Sequence, residues 1–244
     1  MIRDYIEFNG HRNTDFGLFL DYGSFEWQSA KHTRSSIAVP GLSGDRFYSD
    51  NKYDNVTETF PFLMETRDFS ALEMQAQINY WLSAADNYMP LYFSSFPDYE
   101  LQAILTGVSS LKWMNTRVGS ISAEFSCKPF AYRIGSTELR QIDELNGVIL
   151  RNNENLESLP LIKIYGSGHM GLTVNDDVYE IDGADGVTYI DVENHITYSP
   201  TQGIVPGLAR FPNHQYPTLP PGDNYIGIDG ADGLEVAPKW RKLI

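Results

Sequence analysis

Only one stretch of this 244-residue chain carries the spacing of a helix, so the remainder has to bury its apolar residues as strands. That stretch runs from Ser70 to Ala85. Ser70 and Glu73 form an S-x-x-E capping box, in which each side chain satisfies a free backbone donor of the first turn. Ala71, Met74, Ile78, Trp81, Leu82 and Ala85 then fall on one helical face, and Asp86-Asn87 with Pro90 end it. Elsewhere the apolar runs are short and broken by Gly, Asn and Asp. Tyr5 to Phe8, Phe16 to Leu20 and Val56 to Phe60 precede the helix, and Leu91 to Phe93, Leu101 to Val108 and Gly119 to Lys128 follow it. In the last of these, Ile121, Ala123, Phe125 and Cys127 alternate with polar residues, the signature of a half-buried strand.

Residues 135–158 are polar and poor in aromatics, which suits a boundary segment. Two domains are expected, 1–136 and 137–244. The second again reads as strands: Leu161 to Tyr165, Leu172 to Val174, Val178 to Ile181, Val187 to Val192, Tyr225 to Ile228 and Leu234 to Val236. A long proline-bearing loop, Ser199 to Asp223, lies among them. So many short strands without an intervening helix predict a β-sandwich, and the chain as a whole reads as mainly β.

The formal net charge is -14, with the acidity concentrated in the second part and spread over turns and strand edges. Binding to a nucleic-acid backbone depends on Lys and Arg displacing counterions, so contact with nucleic acid is expected to be passive. No apolar run is long enough to cross a membrane, and no targeting run follows Met1. Cys127 is the only cysteine. It excludes an intrachain disulfide, suits a reducing cytoplasm, and reads as a core residue rather than a nucleophile.

Several motifs invite chemistry and fail on their spacing. Gly166-Ser167-Gly168-His169-Met170-Gly171 matches G-x-G-x-x-G after a strand, but the alternating, β-branched residues that follow predict a hairpin around Asn175-Asp176. The helix that would face a pyrophosphate is missing. Gly41-Leu42-Ser43-Gly44-Asp45 has its second glycine one residue early for a nucleophile elbow and reads as a turn. The histidines, at positions 11, 32, 169, 195 and 214, are scattered, with no pair at helical zinc spacing. No carboxylate pair stands out for acid-base work. Neither a catalytic residue, a cofactor nor a metal site is predicted.

The hexapeptide IDGADG occurs twice, at Ile181–Gly186 and Ile228–Gly233. A calcium loop starting at Asp182 or Asp229 would need oxygen ligands where Ala184, Gly186, Ala231 and Gly233 stand. Asp182 with Asp185, and Asp229 with Asp232, leave enough oxygens for no more than a weak surface cation. Asp bonds its own backbone two residues on and Gly accepts positive φ. Both copies are therefore expected to be strand-reversing turns, with Ile181 and Ile228 ending strands and Val187 and Leu234 starting the next.

Taken in order, several segments resemble the distal tail proteins of long-tailed phages and prophages of Gram-positive bacteria. In the first half these are Ile6-Glu7-Phe8-Asn9-Gly10, Asp15-Phe16-Gly17-Leu18, Val39-Pro40-Gly41-Leu42-Ser43-Gly44, Ile78-Asn79-Tyr80-Trp81-Leu82 and Phe125-Ser126-Cys127-Lys128-Pro129-Phe130-Ala131-Tyr132. In the second half they are Leu159 to Gly168, Pro220-Pro221-Gly222-Asp223-Asn224 and Pro238-Lys239-Trp240-Arg241. Leu42 departs from the family, which more often has a polar or basic residue there. The resemblance implies a first β-sandwich domain with one helix and an extended hairpin, assembling as a homohexameric ring at the end of the tail tube. It implies a second, galectin-like or carbohydrate-module-like sandwich outside that ring. The implied role is a non-enzymatic hub of the virion tail tip, made in the host cytoplasm. The implied partners are further copies of itself, including back-to-back rings in isolation, the tail tube protein and the central tail-tip protein. A receptor-binding protein or a cell-wall glycan is implied on the outer domain. DNA would pass through the lumen unbound, and no membrane insertion is implied.

The polar stretch from Ser29 to Tyr53 is too long for a tight hairpin and is flanked by strands, so it is assigned as the arm reaching a neighbouring subunit. Within it Arg34, Arg46, Phe47, Tyr48 and Tyr53 are the expected interface residues. The alternative function is a glycan-binding module in the second domain, with exposed Trp or Tyr faces beside carboxylates and no contact residue assigned.

Overall fold

The computed structural model describes residues 4–49, 52–65, 71–83, 86–115 and 117–244. The chain divides into two compact units, one of Met1–Ala131 with Leu243–Ile244 and the other of Tyr132–Lys242. Each is built on a curled, mostly antiparallel sheet, and among the described residues there is one α-helix. The fold is mainly β, as the alternation of the sequence requires.

In the first unit the sheet runs, from edge to edge, through His11–Arg12, Ile6–Phe8, Met89–Phe93, Tyr99–Val108, Val118–Arg133, Val56–Glu65 and Leu18–Leu20. Val56–Glu65 alternates buried and exposed residues along its whole length, which puts Val56, Phe60, Phe62 and Met64 on the core face. The helix spans Ala71–Leu82 and lays Met74, Ile78, Trp81 and Leu82 on that core. Ser70 and Ala85, at the expected ends, lie outside the described residues, and the capping box with them. Trp81 fastens the helix. Its ring stacks on Phe16 with centroids 4.8 Å apart, and its Nε1 donates to the carbonyl of Phe8 at 2.7 Å. Buried Asn13 ties two strands together, accepting from the Ile6 amide and donating to the Leu18 carbonyl, both at 2.8 Å.

The second unit centres on two long strands, Leu161–Val174 and Asp177–Asp191, joined by the expected hairpin at Asn175-Asp176 and paired from Val174 and Asp177 back to Leu161 and Asp191. Gly233–Ala237 and Gly222–Asp229 pair with the other edge of Leu161–Val174. The polar stretch 135–158 is built into this unit through the strands Arg140–Gln141 and Val148–Asn152. The loop expected from Ser199 to Asp223 is partly regular, with short strands at Gly203–Ile204 and Ala209–Arg210.

Neither copy of IDGADG reverses the chain, which corrects the reading from sequence. The first copy lies inside Asp177–Asp191. Gly168 pairs with Ala184 but Met170 with Ile181, so one extra residue sits in that strand beside Gly183, whose φ is +73°. This β-bulge switches the buried side from Tyr179 and Ile181 to Ala184, Thr188 and Ile190. The second copy joins Gly222–Asp229 to Gly233–Ala237, and both run antiparallel to the same strand, facing Gly171 and Tyr165. The chain is displaced there and carries on in the same direction. The G-x-G-x-x-G segment thus lies between the two IDGADG copies, and three glycine-rich segments form one kink line across the sheet. Close approach explains Gly230: a Cβ there would stand 2.9 Å from the His169 carbonyl oxygen, at φ +74°.

Two consequences are measurable by urea denaturation. Trp81→Ala is expected to cost about 3–5 kcal/mol through the lost ring and its hydrogen bond. Gly230→Ala is expected to cost about 1–3 kcal/mol, while Asp185→Asn and Asp232→Asn, at exposed positions, stay within about 0.5 kcal/mol of the parent chain.

Candidate functional site: a projecting hairpin and its root

Among the described residues Ser35–Ile37 and Arg46–Tyr48 pair only with each other, in the register Ser35 with Tyr48, Ser36 with Phe47 and Ile37 with Arg46. Their connection is the Val39-Pro40-Gly41 turn, closed by the Leu42 amide on the Val39 carbonyl at 3.1 Å, with Gly41 and Gly44 at φ +85° and +92°. Side chains alternate across such a ribbon. Phe47 therefore stands on one face, and Ile37, Arg46 and Tyr48 on the other. Phe47 is 69% exposed, Tyr48 57%, Leu42 53% and Ile37 50%. A two-stranded hairpin is marginal by itself in water, and this one carries uncovered apolar groups on both faces and at its tip.

Of the residues expected at an interface, Arg34, Arg46, Phe47 and Tyr48 are exposed on this hairpin, whereas Tyr53 belongs to its root. Tyr53 pairs with His32 and packs between the His32 ring, 4.9 Å away, and Phe130, 6.0 Å away. The root is tied further by Thr33 N to Lys52 O at 2.8 Å and by Ala30 N to the carbonyl of Ile244 at 2.7 Å.

A buried carboxyl completes it. Glu58 sits in phase with Val56 and Phe60 on the core face and is fully buried. One oxygen accepts from the Gln28 amide at 3.1 Å, and the other has no hydrogen-bond partner among the described residues. Burial pushes its pKa up to about 7, with the Gln28 bond opposing the shift. Glu58 thus joins the segment entering the hairpin to the strand leaving it. Cys127, on the neighbouring strand, is buried as well, and burial raises its thiol to about 12.

Of the carboxylates at the glycine-rich kink, Asp182 is engaged with protein groups, while Asp185, Asp229 and Asp232 are exposed. Asp182 accepts from His169 Nδ1 at 2.6 Å and lies 3.7 Å from Arg210; the His169 contact holds its carboxyl below the usual range and raises the imidazole. Among the described residues no three His, Cys, Asp or Glu side chains converge as a metal site would require. On the outer face of the second sheet, Glu235, Lys163, Tyr189, Tyr198 and Ile204 fall on one rung. Tyr189 and Tyr198 stack on each other at 4.8 Å with planes 4° apart, Lys163 bonds Glu235 at 3.2 Å, and Trp240 packs against the second core. Stacking covers one face of each tyrosine, and Lys163 Nζ stands over the Tyr189 ring at 5.8 Å, so the pair is not an open two-ring platform.

No family model matches the chain, and no curated protein matches it. In structure it is similar to the SPP1 Dit (gp 19.1) protein, described with its crystal structure as a paradigm of the hub adsorption apparatus in phages infecting Gram-positive bacteria. The TM-score is 0.69 at 12% identity, over 96% of this chain and 98% of that one. The likeness is one of fold.

Sequence reasoning missed two features. Leu72 and Tyr80 are each 80% exposed on the helix face opposite the core, signalled only by falling off the apolar stripe; Trp113 and Met114 are exposed too, and Trp113 lines a shallow depression together with Leu72. Glu58 was legible as a carboxylate standing in a buried phase of a strand, a signal that was passed over.

Because the folded pKa of Glu58 is raised, its contribution is present in full below about pH 4.5 and is lost as pH rises through about 7. Stability measured by urea denaturation is expected to fall across that window by up to about 3 kcal/mol. In Glu58→Gln that slope should be absent.

Proposed function

We propose that the chain is a structural hub of a phage tail tip, assembling through its first unit into a hexameric ring between the tail tube protein and the central tail-tip protein. The observation that carries this reading is a projecting hairpin with uncovered apolar side chains, set in a fold that matches a hub adsorption protein over 96% of the chain. Burying Phe47 and Tyr48 against a neighbour would contribute roughly 1.5–3 kcal/mol each, enough to drive self-association when repeated around a closed ring. The second unit faces outward and supports host-attachment components. The chain performs no catalysis in this role and works in the virion tail after synthesis in the host cytoplasm. The net charge of -14 lets DNA traverse the lumen without adhering, by like-charge repulsion. Glycan binding by the second unit finds no support in the paired tyrosines and is set below a protein-docking role.

Light scattering and negative-stain imaging of concentrated protein test the reading. The parent chain is expected to form closed rings. The double variant Phe47→Asp, Tyr48→Asp is expected to remain monomeric with its melting temperature shifted by no more than about 2 °C, since surface changes away from the core alter stability little. Monomers of the parent chain at every concentration, with no binding to tube or tip proteins, would count against it.

A further inference from the structure

The strand leaving the hairpin, Val56–Glu65, has its outer edge covered over only half its length. Its other edge is paired throughout with Val118–Arg133. On the outer edge, Leu18–Leu20 covers Phe62–Met64, and the Asp21 amide reaches the Pro61 carbonyl at 2.9 Å. Pairing then stops, because Asp21 turns the chain away. Its carboxylate accepts from the Gly23 amide and the Ser24 hydroxyl, and its carbonyl from the Ser24 amide.

The bonds from Asp21 N to Pro61 O and from Glu65 N to Gly17 O fix which residues face this edge. In an antiparallel ladder, alternate residues point their N–H and C=O groups to the same side, so Thr57 and Thr59 face outward with Pro61 and Glu65. Among the described residues their main-chain groups have no hydrogen-bond partner. When the chain returns as Phe25–Ala30 it does not refill the edge. A polar groove of about 540 Å³ separates the two, walled by Glu26, Gln28 and Lys31 on one side and by Asp54, Thr57 and Thr59 on the other.

A groove of that lining beside open backbone donors and acceptors is suited to an extended strand, whose main chain supplies the missing bonds. We infer that the edge at Thr57 and Thr59 receives one strand of the projecting hairpin from a second copy of this chain. The hairpin strands, three residues each, match the length of the open edge and have free outer edges of their own. Arg34 and Arg46, without ion-pair partners among the described residues, complement the groove, where Glu26 and Asp54 outnumber Lys31. Hairpin and groove are different surfaces of the same chain, so the contact is head-to-tail and repeats from copy to copy, closing into a ring where the rotation allows. This inference rests on the self-assembly proposed above and names the surface that receives the arm.

Hydrogen exchange followed by mass spectrometry on the full chain tests it, comparing dilute monomer with assembled protein. The Thr57 and Thr59 amides are expected to exchange roughly tenfold or more slowly in the assembly. Thr57→Pro removes an edge donor that bonds nothing among the described residues and is expected to weaken assembly about tenfold with the melting temperature retained; should that variant misfold, exchange in the parent chain decides. Assembly with unchanged exchange at residues 55–59 would overturn the inference and leave ring formation standing. A parent chain that never assembles would remove ring formation, and this inference with it.

Discussion

The hairpin depends on how its root is tied, because two strands of three residues cannot hold a direction in water alone. Four attachments fix the root. Gln28 bonds the buried Glu58, Ala30 bonds the Ile244 carbonyl, Thr33 and Lys52 close the ribbon, and Tyr53 fills the space between His32 and Phe130. Three of the four join residues distant in sequence, so the arm is positioned by the folded first unit rather than by its own propensity. Trp81 and Asn13 matter to the arm for the same reason: they hold the sheet from which Val56–Glu65 emerges.

The kink line of the second unit solves a different problem. Long strands such as Leu161–Val174 and Asp177–Asp191 can close a core only by bending. A bend over neighbouring strands requires glycine wherever backbones approach or φ turns positive. Gly166 and Gly183 supply this on two paired strands, and Gly230 supplies it in the connection between Gly222–Asp229 and Gly233–Ala237. The repetition of IDGADG therefore reflects one bend crossed twice by the chain, and the aspartates beside the glycines face solvent or pair with His169 and Arg210.

What the sequence disclosed follows from the range of the forces involved. Periodicity is local, so the helix with Met74, Ile78, Trp81 and Leu82 on its core face, and the alternation of Ile121 to Cys127, were legible, as was the hairpin at Asn175-Asp176. The role of IDGADG was not, because Asp and Gly serve a reversing turn and a β-bulge equally well; only the pairing with Gly166–Met170 separates them. The exposed hairpin residues Phe47 and Tyr48 could be assigned from segment length and flanking strands, but the open edge at Thr57 could not. Its existence depends on where Asp21 stops a neighbouring strand nearly forty residues upstream, and pairing of that kind leaves no periodic trace.

An uncovered strand edge is ordinarily guarded by lysine, proline or a bulge, since it can pair with any extended chain. Along Val56–Phe60 the outward residues are threonines, and the first proline, Pro61, stands where its carbonyl already accepts from the Asp21 amide. The groove wall supplies another kind of control. Glu26 and Asp54 outnumber Lys31 along the groove, so the wall favours a strand bearing positive charge over an acidic one, and the chain as a whole carries a net charge of -14. The hairpin, with Arg34 and Arg46 beside its strands, is an exception. Charge at the groove would therefore select among extended segments, while the backbone edge, which reads no sequence, provides the binding.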